Sequence, residues 1–444
     1  MADLAELRQH AQQIFAAGVA AANPTLALNR ALNTEGEQLA ISLANGDMRS
    51  RAWQKVHVIA FGKAAGLMAS AALARIPAHL LQPPVIAVTN YENAANYPNI
   101  ELLSAGHPLP DQAGLNAAQR IAVRMSLVQK NELVLVLISG GGSALIPYPI
   151  NGISLAEKIQ VTELLLASGA TINEINTVRK HLSVLKGGGL AKLAMPADLH
   201  ALILSDVLGD DLSAIASGPT VPDPTTYADA VSVLHDKQLW FKLPSSVQNH
   251  LQRGVNGLVA ETPKPNDAIF AQTGYSLIGS NTVSLHAMQQ AASALDYPTL
   301  IYQTHLQGEA RLEAEKLAAY AKTLNKPLAL LAGGETTVTV TGQGLGGRNQ
   351  EFALAFACAA SQYGLTSNWA LLSGGTDGRD GPTNAAGGLV DTHSFTRMLA
   401  ADLNPTERLA DNDAYHALQS SGDLLLTGTT GTNVADLQVL LIHP

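Results

Sequence analysis

Residues Leu133–Ser143 read LVLVLISGGGS, an apolar run of strand length that stops at three consecutive glycines. Two later stretches have a similar form: Leu328–Thr336 reads LALLAGGET, and Trp369–Gly378 reads WALLSGGTDG. Continuous apolar runs bounded by glycine are typical of strands buried on both faces of a parallel sheet. Ligands of such sheets gather at the carboxyl ends of the strands, where glycine lets backbone amides come close. The three stretches therefore predict an α/β fold with a small-molecule site, and a phosphate-bearing ligand is the first expectation.

Composition limits the class of protein. The chain has 444 residues, of which 47% are hydrophobic and 14% charged, enough for large buried sheets in two or three domains. The formal charge of −9 and the absence of a basic block argue against a nucleic-acid partner. No apolar stretch reaches the roughly 18 residues that a membrane span needs. A single cysteine excludes an internal disulfide, and we expect a cytoplasmic protein.

The order of the elements predicts two α/β domains. From Val56 onward, apolar strands alternate with helical segments, which indicates βαβ units and a mostly parallel, Rossmann-like sheet with flanking helices. The stretch His250–Asp267 includes the turn-forming segment TPKPND and is the best candidate for a boundary. We therefore predict an N-terminal domain over residues 1–255 and a C-terminal α/β domain over residues 256–444.

Two glycine-containing loops follow predicted strands in the first half. Lys63 comes just after the strand Val56–Phe61, where it could bind a phosphate beside backbone amides. The P-loop pattern is incomplete, because His57 stands where glycine is required, so an ordinary surface lysine is the alternative. Three glycines at 140–142 are costly in chain entropy, which favours a backbone nest for an anion over a bare turn. Ser143 as a hydrolase nucleophile is disfavoured, since the G-x-S-x-G pattern fails at Leu145.

The helical period predicts one helix over Asn173–Lys186. An apolar stripe is flanked by a polar one that contains Asn176, Arg179, Ser183 and Lys186. Lysine followed by glycine is also a common helix C-terminus, so Lys186 has a structural alternative.

Carboxylates follow several predicted strands. Asp206 and Asp210 stand at the end of the strand Leu199–Leu204, where carboxylates beside phosphate groups could bind Mg²⁺. Glu335 and Asp377 follow the second and third glycine pairs and could bind Mg²⁺, contact substrate hydroxyls or act as a base. Asp-Gly is also an ordinary turn dipeptide. His107 is a candidate substrate contact, although a single histidine in a loop is more often structural.

A glycine-rich loop precedes Arg348. Gly342, Gly344 and Gly347 satisfy G-x-G-x-x-G between a predicted strand, Thr336–Thr341, and a helix. The strand alternates Thr with Val, and the acidic residue expected about 20 positions further on is missing. A loop that presents Arg348 to a transferring phosphoryl group explains these residues better than a dinucleotide site. A flexible hairpin followed by a capped helix is the structural alternative.

Several stretches together resemble the class II glycerate 2-kinases, a family whose C-terminal half is called MOFRL. The matching stretches are FGKAAG, GHPLPDQAGL, ISGGGSAL, NTVRKHLSVLKGGGLA, LILSDVLGDDLSAIASGPTVPDPTTY, GGETTVTVTGQGLGGRNQEFALA, GGTDGRDGPTNAAGG and TGTNVADL. They run from residue 60 to near residue 440 and so cover almost the whole chain. Such a set of ordered motifs is far more specific than one glycine loop.

The resemblance implies ATP-dependent phosphorylation of D-glycerate at its 2-hydroxyl, with a divalent cation. It also implies a two-domain α/β enzyme with the active site in the cleft between the domains. The family's catalytic lysine falls on Lys63, its catalytic arginine on Arg348, and its phosphate loop on Gly140–Ser143. The chain departs from the family pattern at Gly189 (Arg in the family), Leu208 (Pro), Asn384 (Asp) and Thr429 (Pro). The missing arginine removes support for an anion contact at that position.

These observations combine into a hypothesis of direct phosphoryl transfer, in which Arg348 neutralises charge on the transferred group. The predicted site residues are Lys63 and Arg348 for catalysis; Gly140, Gly141, Gly142, Ser143 and Lys186 for ATP; Arg179, His107 and Asp377 for the substrate; and Asp206, Asp210 and Glu335 for Mg²⁺. The general base is unassigned, with Asp377 as a candidate. The expected partner is D-glycerate, with neither nucleic acid nor membrane, and the chain is expected to be a monomer or homodimer.

Two alternatives stay open. One is an NAD(P)-dependent reductase of hydroxypyruvate, and the other is a non-catalytic sensor of phosphorylated metabolites built on the same sheet. Release of ADP on adding D-glycerate, Mg²⁺ and ATP would separate the three.

Overall fold

The computed structural model describes residues 3–43 and 45–443. The chain begins with α1 (Leu4–Ala21), α2 (Pro24–Ala31) and a small antiparallel sheet of β1 (Leu32–Glu35), β2 (Gln38–Ser42) and β3 (Met48–Ser50). An alternating series follows: β4 (Val56–Phe61), α3 (Ala65–Leu73), β5 (Val85–Asn90), β6 (Ile100–Ala105), α4 (Gln112–Met125), β7 (Leu133–Ile138), α5 (Gly142–Leu145), α6 (Leu155–Ala167), α7 (Ile172–His181), α8 (Gly189–Leu193), β8 (Asp198–Leu204), α9 (Tyr227–Asp236), α10 (Ser245–Val255) and β9 (Thr273–Gly279).

The rest of the chain forms a second series. Its elements are α11 (Asn281–Ala294), β10 (Thr299–Glu309), α12 (Ala310–Lys322), β11 (Leu328–Thr337), α13 (Arg348–Tyr363), β12 (Asn368–Gly375), β13 (Gly387–Asp391), α14 (Ser394–Ala400), α15 (Pro405–Ala410), α16 (Ala414–Ser421), β14 (Leu424–Leu425) and β15 (Asp436–His443). In the described part of the chain, no helix combines the length and the apolar character that crossing a bilayer requires.

The first large sheet has the strand order β6-β5-β4-β7-β8-β9. Its strands from β6 to β8 are parallel, and every residue of β4, β5, β7 and β8 is buried. Helices on both faces explain why these strands read as continuous apolar runs instead of alternating with polar residues. The predicted mostly parallel sheet is confirmed.

The second large sheet has the order β10-β11-β15-β12-β13-β14 and is mixed. β10 and β11 are parallel, whereas β15 runs antiparallel between β11 and β12. β11 and β12 therefore point in the same direction, and their carboxyl ends flank the first residue of β15. In the register, Asp436 lies opposite both Gly334 and Gly375.

The second glycine pair lies inside a strand, which corrects the expectation that the strand stops there, whereas β12 ends at the third pair, Gly374-Gly375, as expected. β11 continues through Gly333 and Gly334, and the expected separate strand Thr336–Thr341 is wrong because the chain is irregular after Thr337. A Cβ atom on Gly334 would lie 2.2 Å from the carbonyl oxygen of Leu306 in β10. The glycine is therefore required by close backbone approach within the sheet.

The chain forms two compact units. One contains Met1–Leu26 and Gly279–Pro444, and the other contains Ala27–Ile278. This division differs from the predicted boundary after residue 255 in two respects. Residues 256–278 belong to the unit of the first large sheet, and α1 belongs to the unit of the second. Apolar side chains of α1, including Leu7 and Phe15, are buried in the core that contains Met288 of α11. The segment after residue 255 stays with the first sheet because it leads into the edge strand β9.

Candidate active site

The carboxyl ends of β4, β7 and β8 bring several predicted site residues together in unit Ala27–Ile278. β7 leads directly into Ser139–Gly142, and Gly141 has a φ of +83°, a conformation that favours glycine. A Cβ atom on Gly140 would lie 2.2 Å from Oδ2 of Asp206, and one on Gly141 would lie 3.0 Å from the His107 ring. The glycines therefore allow a carboxylate and an imidazole to approach the backbone of this loop, which we call the glycine loop.

Lys63 lies against the glycine loop. Its backbone amide donates to the carbonyl of Gly140 at 2.8 Å, and its Cε atom is 3.5 Å from the position that a Cβ on Gly141 would take. The side chain is exposed. Burial, followed by the charge of Lys63, lowers the pKa of His107. A cation, an imidazole and a carboxylate thus surround one loop.

A cavity of about 20 Å³ adjoins Ser143. Three basic side chains line it, Lys158, Arg179 and Lys186, and among the described residues no carboxylate does. Within the described residues the guanidinium group of Arg179 has no hydrogen-bond or ion-pair partner, and burial alone lowers its pKa. Arg179 stays charged and both lysine amines can donate hydrogen bonds, so an anion that enters this cavity is stabilised. Without an anion, burial and the neighbouring cations lower the pKa of both lysines.

Lys186 is fixed to the end of the glycine loop. Its Nζ atom donates to both the carbonyl oxygen and the Oγ atom of Ser143, each at 2.8 Å. Ser143 Oγ is 3.0 Å from Ser217 Oγ, and Ser217 Oγ donates to Oδ1 of Asn176 at 2.9 Å. Lys186 is only 2% exposed. The structure therefore connects Lys186 and Asn176 through two serine hydroxyl groups.

The predicted helix Asn173–Lys186 is wrong in its second half. α7 ends at His181, because the amide of Val184 donates to the carbonyl of Tyr148 at 2.9 Å and draws the chain out of the helix. Lys186 is consequently not at a helix C-terminus. It nevertheless reaches the same cavity as Arg179, now from the loop before α8.

Lys158 lines the same cavity, although it is not among the residues predicted from the sequence. Its Nζ atom donates to the carbonyl of Leu182 at 2.9 Å, beyond the last turn of α7. Burial, followed by the charge of Arg179, lowers the pKa of Lys158 to about 7. A sequence signal existed, because Lys158 shares the buried face of α6 with Val161 and Leu165 at helical spacing.

In the other unit, Arg348 is held by two carboxylates. Its Nε and Nη2 atoms donate to Asp436 at 2.6 and 3.0 Å, and Nη1 donates to Glu335 at 2.8 Å. The hydrogen bonds and charge of Asp436 outweigh burial and raise the pKa of Arg348. Asp436 is completely buried, whereas Glu335 is exposed. No local sequence pattern marks Asp436, which is not among the residues predicted from the sequence.

At the start of α13, a carboxylate of the same unit accepts hydrogen bonds from the backbone amides. Asp380 accepts from the amides of Asn349 and Gln350 at 3.1 and 2.9 Å. A Cβ on Gly347 would lie 2.4 Å from the Asp380 carboxyl carbon, so the glycine permits this approach. Burial raises the pKa of Asp380 despite these hydrogen bonds. This carboxylate fills the position that a pyrophosphate takes in a dinucleotide fold.

In the glycine-rich segment before α13, backbone amides donate hydrogen bonds to side chains of the same unit. The amides of Thr341 and Gly342 donate to Asn412 Oδ1 at 2.8 and 2.9 Å, and that of Leu345 donates to Asp413 Oδ1 at 3.1 Å. A Cβ on Gly342 would lie 2.2 Å from the carbonyl oxygen of Asp411. The loop is thus packed against residues 411–413 and is not a flexible hairpin.

The remaining predicted site residues are Asp377, Asp210 and Glu335. Asp377 accepts from the amide of Arg379 at 3.0 Å in the turn after β12. Asp210 has a φ of +53° in the loop after β8, in the unit that contains Asp206. Glu335 belongs to the other unit. Among the described residues no group of three or more histidine, cysteine, aspartate or glutamate side chains is arranged to bind a metal ion.

Comparison with known protein families identifies relatives of this chain. Residues 10–252 match a domain of unknown function, DUF4147, and residues 328–436 match the MOFRL family. The chain is 38% identical to a glycerate 2-kinase of Pyrococcus horikoshii over 98% of both proteins. It is 41% identical to a D-glycerate 2-kinase of Thermotoga maritima over 87% of this chain and 91% of the relative. This chain belongs to the MOFRL family of glycerate 2-kinases. The resemblance in the sequence motifs is thereby confirmed.

Solved structures of this family have the same fold. A Pyrococcus horikoshii protein of 37% identity superimposes with a TM-score of 0.88 over 98% of both chains. A glycerate kinase of Thermotoga maritima, 38% identical, superimposes with a TM-score of 0.85 over 98% of this chain and 99% of its own. The expected two-domain α/β fold is confirmed.

Two departures from the family motifs have a structural setting. A Cβ atom on Gly189 would lie 2.0 Å from the carbonyl oxygen of Val184, so the local backbone leaves no space for a side chain. Asn384 accepts a hydrogen bond from the hydroxyl of Tyr415 at 3.0 Å. Nothing in the structure explains Leu208 or Thr429.

Proposed function

We propose that this protein transfers the γ-phosphoryl group of ATP to the 2-hydroxyl of D-glycerate, which gives ADP and 2-phosphoglycerate. Membership of the MOFRL family and the names of the relatives support the reaction. The observation that carries the proposal is the cavity beside Ser143, lined by Lys158, Arg179 and Lys186 without a carboxylate. Both substrates of this reaction are anions, and such a cavity favours an anion.

Each anionic group has a matching cation. Lys63 and the glycine loop would bind phosphate oxygens of ATP, with backbone amides and an ammonium group as donors. Arg179 would pair with the carboxylate of glycerate, because its guanidinium group can bond both oxygens and has no protein partner. His107, next to the same loop, would contact a substrate hydroxyl. Lys186 would stay beside the ATP-binding loop through Ser143.

Arg348 would stabilise the charge that develops on the transferred phosphoryl group. Three of its five N–H groups are used by Asp436 and Glu335, and two remain available. Comparable arginines in phosphoryl transfer contribute about 10³–10⁵ in rate. Asp377 stays a candidate for substrate contact.

Mg²⁺ would neutralise phosphate charge when it is bound. Asp206 fits this role, because its carboxylate lies beside Gly140 and Mg²⁺ typically takes one or two carboxylates together with phosphate oxygens. Asp210 or Glu335 would be a second ligand, directly or through water. Glu335 already accepts a hydrogen bond from Arg348. Its carboxylate would therefore have to bind Mg²⁺ and Arg348 at the same time.

The test is formation of ADP in the presence of ATP, Mg²⁺ and D-glycerate, with the product identified by ³¹P NMR. We expect 2-phosphoglycerate. Exclusive formation of 3-phosphoglycerate would refute the assignment of the reacting hydroxyl, and absence of ADP would refute the function. Binding of phosphorylated metabolites without turnover would instead support a sensor.

A reductase of hydroxypyruvate is the second candidate, because an Agrobacterium vitis relative, 39% identical over 98% of this chain, is provisionally named as one. The structure gives this reading little support. The G-x-G-x-x-G loop bonds to residues 411–413, and Asp380 closes the start of α13. We therefore expect no hydroxypyruvate-dependent loss of NADPH absorbance. A rate comparable to ADP formation would favour the reductase.

A further inference from the structure

Lys186 and Ser143 form a buried amine–hydroxyl pair. The Nζ–Oγ distance is 2.8 Å, and the same Nζ bonds the Ser143 carbonyl at 2.8 Å. Lys158, the other buried lysine of this cavity, differs because its amine bonds backbone carbonyls near the end of α7, where it acts as a helix cap. Lys186 therefore holds its amine at the glycine loop, where the transferring phosphoryl group would be bound.

The charges around Lys186 favour a neutral amine. Lys158 faces it from α6 and Arg179 from α7, and no carboxylate lines their common cavity. Burial, followed by the charges of Lys158 and Arg179, lowers the pKa of Lys186 well below its usual value. A second cavity, of about 410 Å³, also reaches Lys186. Its charged or titratable lining residues are Lys180, His181, Lys192, His250, Arg253 and Glu261, together with Tyr227.

The serine next to Lys186 is held by an unusual backbone segment. Ala216 and Ser217 have φ values of +50° and +61°, a conformation costly for residues other than glycine. This conformation places the Ser217 hydroxyl 3.0 Å from that of Ser143 and 2.9 Å from Asn176 Oδ1. Ser217 is completely buried. Backbone strain of this kind is concentrated at active sites, and here it positions the hydroxyl that contacts Ser143, the partner of the Lys186 amine.

We propose that Lys186 is the general base of the reaction, with Ser143 holding its amine in place. The inference rests on the proposed function and supplies the base that it lacks. In this step the O–H bond at C2 of glycerate breaks, and the proton passes to the lone pair of Nζ. The freed oxygen bonds to the γ-phosphorus of ATP. The bond from that phosphorus to the bridging oxygen breaks, and its electron pair stays on ADP. Lys186 then releases the proton to solvent.

The experiment measures single-turnover rates and the KM for D-glycerate in the full-length protein, once product formation by the wild type is established. We expect Lys186→Met to lower the rate by about 10²–10⁴, the usual contribution of a general base, with a much smaller change in KM. The wild-type rate should fall as pH decreases through the pKa of Lys186, and the residual rate of the variant should lose this dependence.

Matched variants separate a base from a structural lysine. Lys186→Arg keeps a cation but cannot become neutral, so it should be as slow as Lys186→Met. Methylamine should restore part of the rate of Lys186→Ala, because the cavity of about 410 Å³ gives a small amine access. Lys130→Met, which removes an exposed lysine of the turn before β7, should keep the wild-type rate.

Three results would overturn the proposal. They are a Lys186→Met or Lys186→Arg rate within five-fold of wild type, no rescue of folded Lys186→Ala by methylamine, and a wild-type rate that is level with pH. The last needs no variant and decides the question even if the variants do not fold. Wild-type protein that forms no ADP would refute the proposed function, whereas normal turnover with any of these three results would refute only the role of Lys186.

Discussion

The Nε atom of Arg348 lies 2.6 Å from Oδ2 of Asp436, and its Nη2 atom lies 3.0 Å from Oδ1. The two bonds fix the plane of the guanidinium group against the first residue of β15. Burial raises the pKa of Asp436 to about 6, although Arg348 acts in the opposite direction. A buried carboxylate thus orients the arginine that the proposed reaction needs.

Asp436→Asn should slow turnover by about 10²-fold, because the side chain keeps its shape but loses its charge and one acceptor, and small misplacements of catalytic groups have effects of that size. Arg348→Ala should cost about 10³-fold or more. Steady-state kinetics of the two single variants and the double variant provide the check. If Asp436 acts through Arg348, the double variant is no slower than Arg348→Ala, and multiplicative effects would contradict this role.

Anions should stabilise the protein through Arg179. D-glycerate or inorganic phosphate at about 100 times its Kd contributes about 2.7 kcal/mol, which raises Tm by several degrees. Arg179→Met should abolish most of this shift, because the other two basic side chains of the cavity, Lys158 and Lys186, are tied to carbonyl and hydroxyl groups. Arg120→Met, which removes an exposed arginine of α4, is the control. Equal shifts in all three proteins would place the anion elsewhere.

Gly141 and Gly152 provide a matched pair of left-handed glycines, with φ values of +83° and +89°. Alanine at either position should cost about 1–2 kcal/mol of stability for the backbone conformation. Only at Gly141 would the new Cβ press on His107, at 3.0 Å, since Gly152 has no neighbouring atom within 4 Å. Gly141→Ala should therefore lower kcat/KM more than tenfold and Gly152→Ala should not. Similar kinetics would show that the close approach is unimportant.

Lys158 should make the stability depend on pH. Its folded-state pKa of about 7 lies below the usual lysine value, so between pH 7 and about 10 the unfolded chain binds the proton more strongly. Stability should therefore rise with pH in this range, by up to about 1.4 kcal/mol per pH unit from this residue. Urea unfolding at several pH values should show a flatter dependence for Lys158→Met. Lys192→Met should follow the wild type, and an unchanged slope in Lys158→Met would contradict the prediction.

Arg8 should stabilise the unit that contains α1. It bonds Asp423 at 2.8 Å and also contacts Asp391, and both carboxylates are buried. Arg8→Ala leaves them with Arg397 as their remaining cation, which should cost about 2–4 kcal/mol because removing one partner strands buried charge. Thermal unfolding measures the loss, and Arg75→Ala serves as a surface control. An unchanged Tm would contradict this role of Arg8.

Local and neighbouring features were predictable from the sequence. Apolar runs indicated the buried parallel strands, and because parallel strands end at one edge of a sheet, Lys63 and Asp206 could be placed near Gly140 in advance. The start of α13 after a glycine-rich loop was also predictable from the sequence. These predictions used only the order of strands and the residues that follow them.

Long-range pairing was not predictable. Asp436 is 88 residues from Arg348, and no spacing relates them. The end of α7 depends on a hydrogen bond between Val184 and Tyr148, which overrides the helical period. In the sequence, the glycines inside β11 look like a strand end. In the structure they are required because the backbone of β10 approaches them closely. In each case the deciding contact comes from a distant part of the chain.

The position of α1 has a consequence for synthesis on the ribosome. This helix precedes residues 27–278 in the chain, yet its buried partners, α11 and β15, are made after residue 280. Residues 27–278 can complete their own sheet earlier, since domains generally fold as units during translation. The amphipathic helix must then wait with Leu7 and Phe15 uncovered until β15 has left the exit tunnel. α1 is thus translated before the unit of residues 27–278 and buried after it.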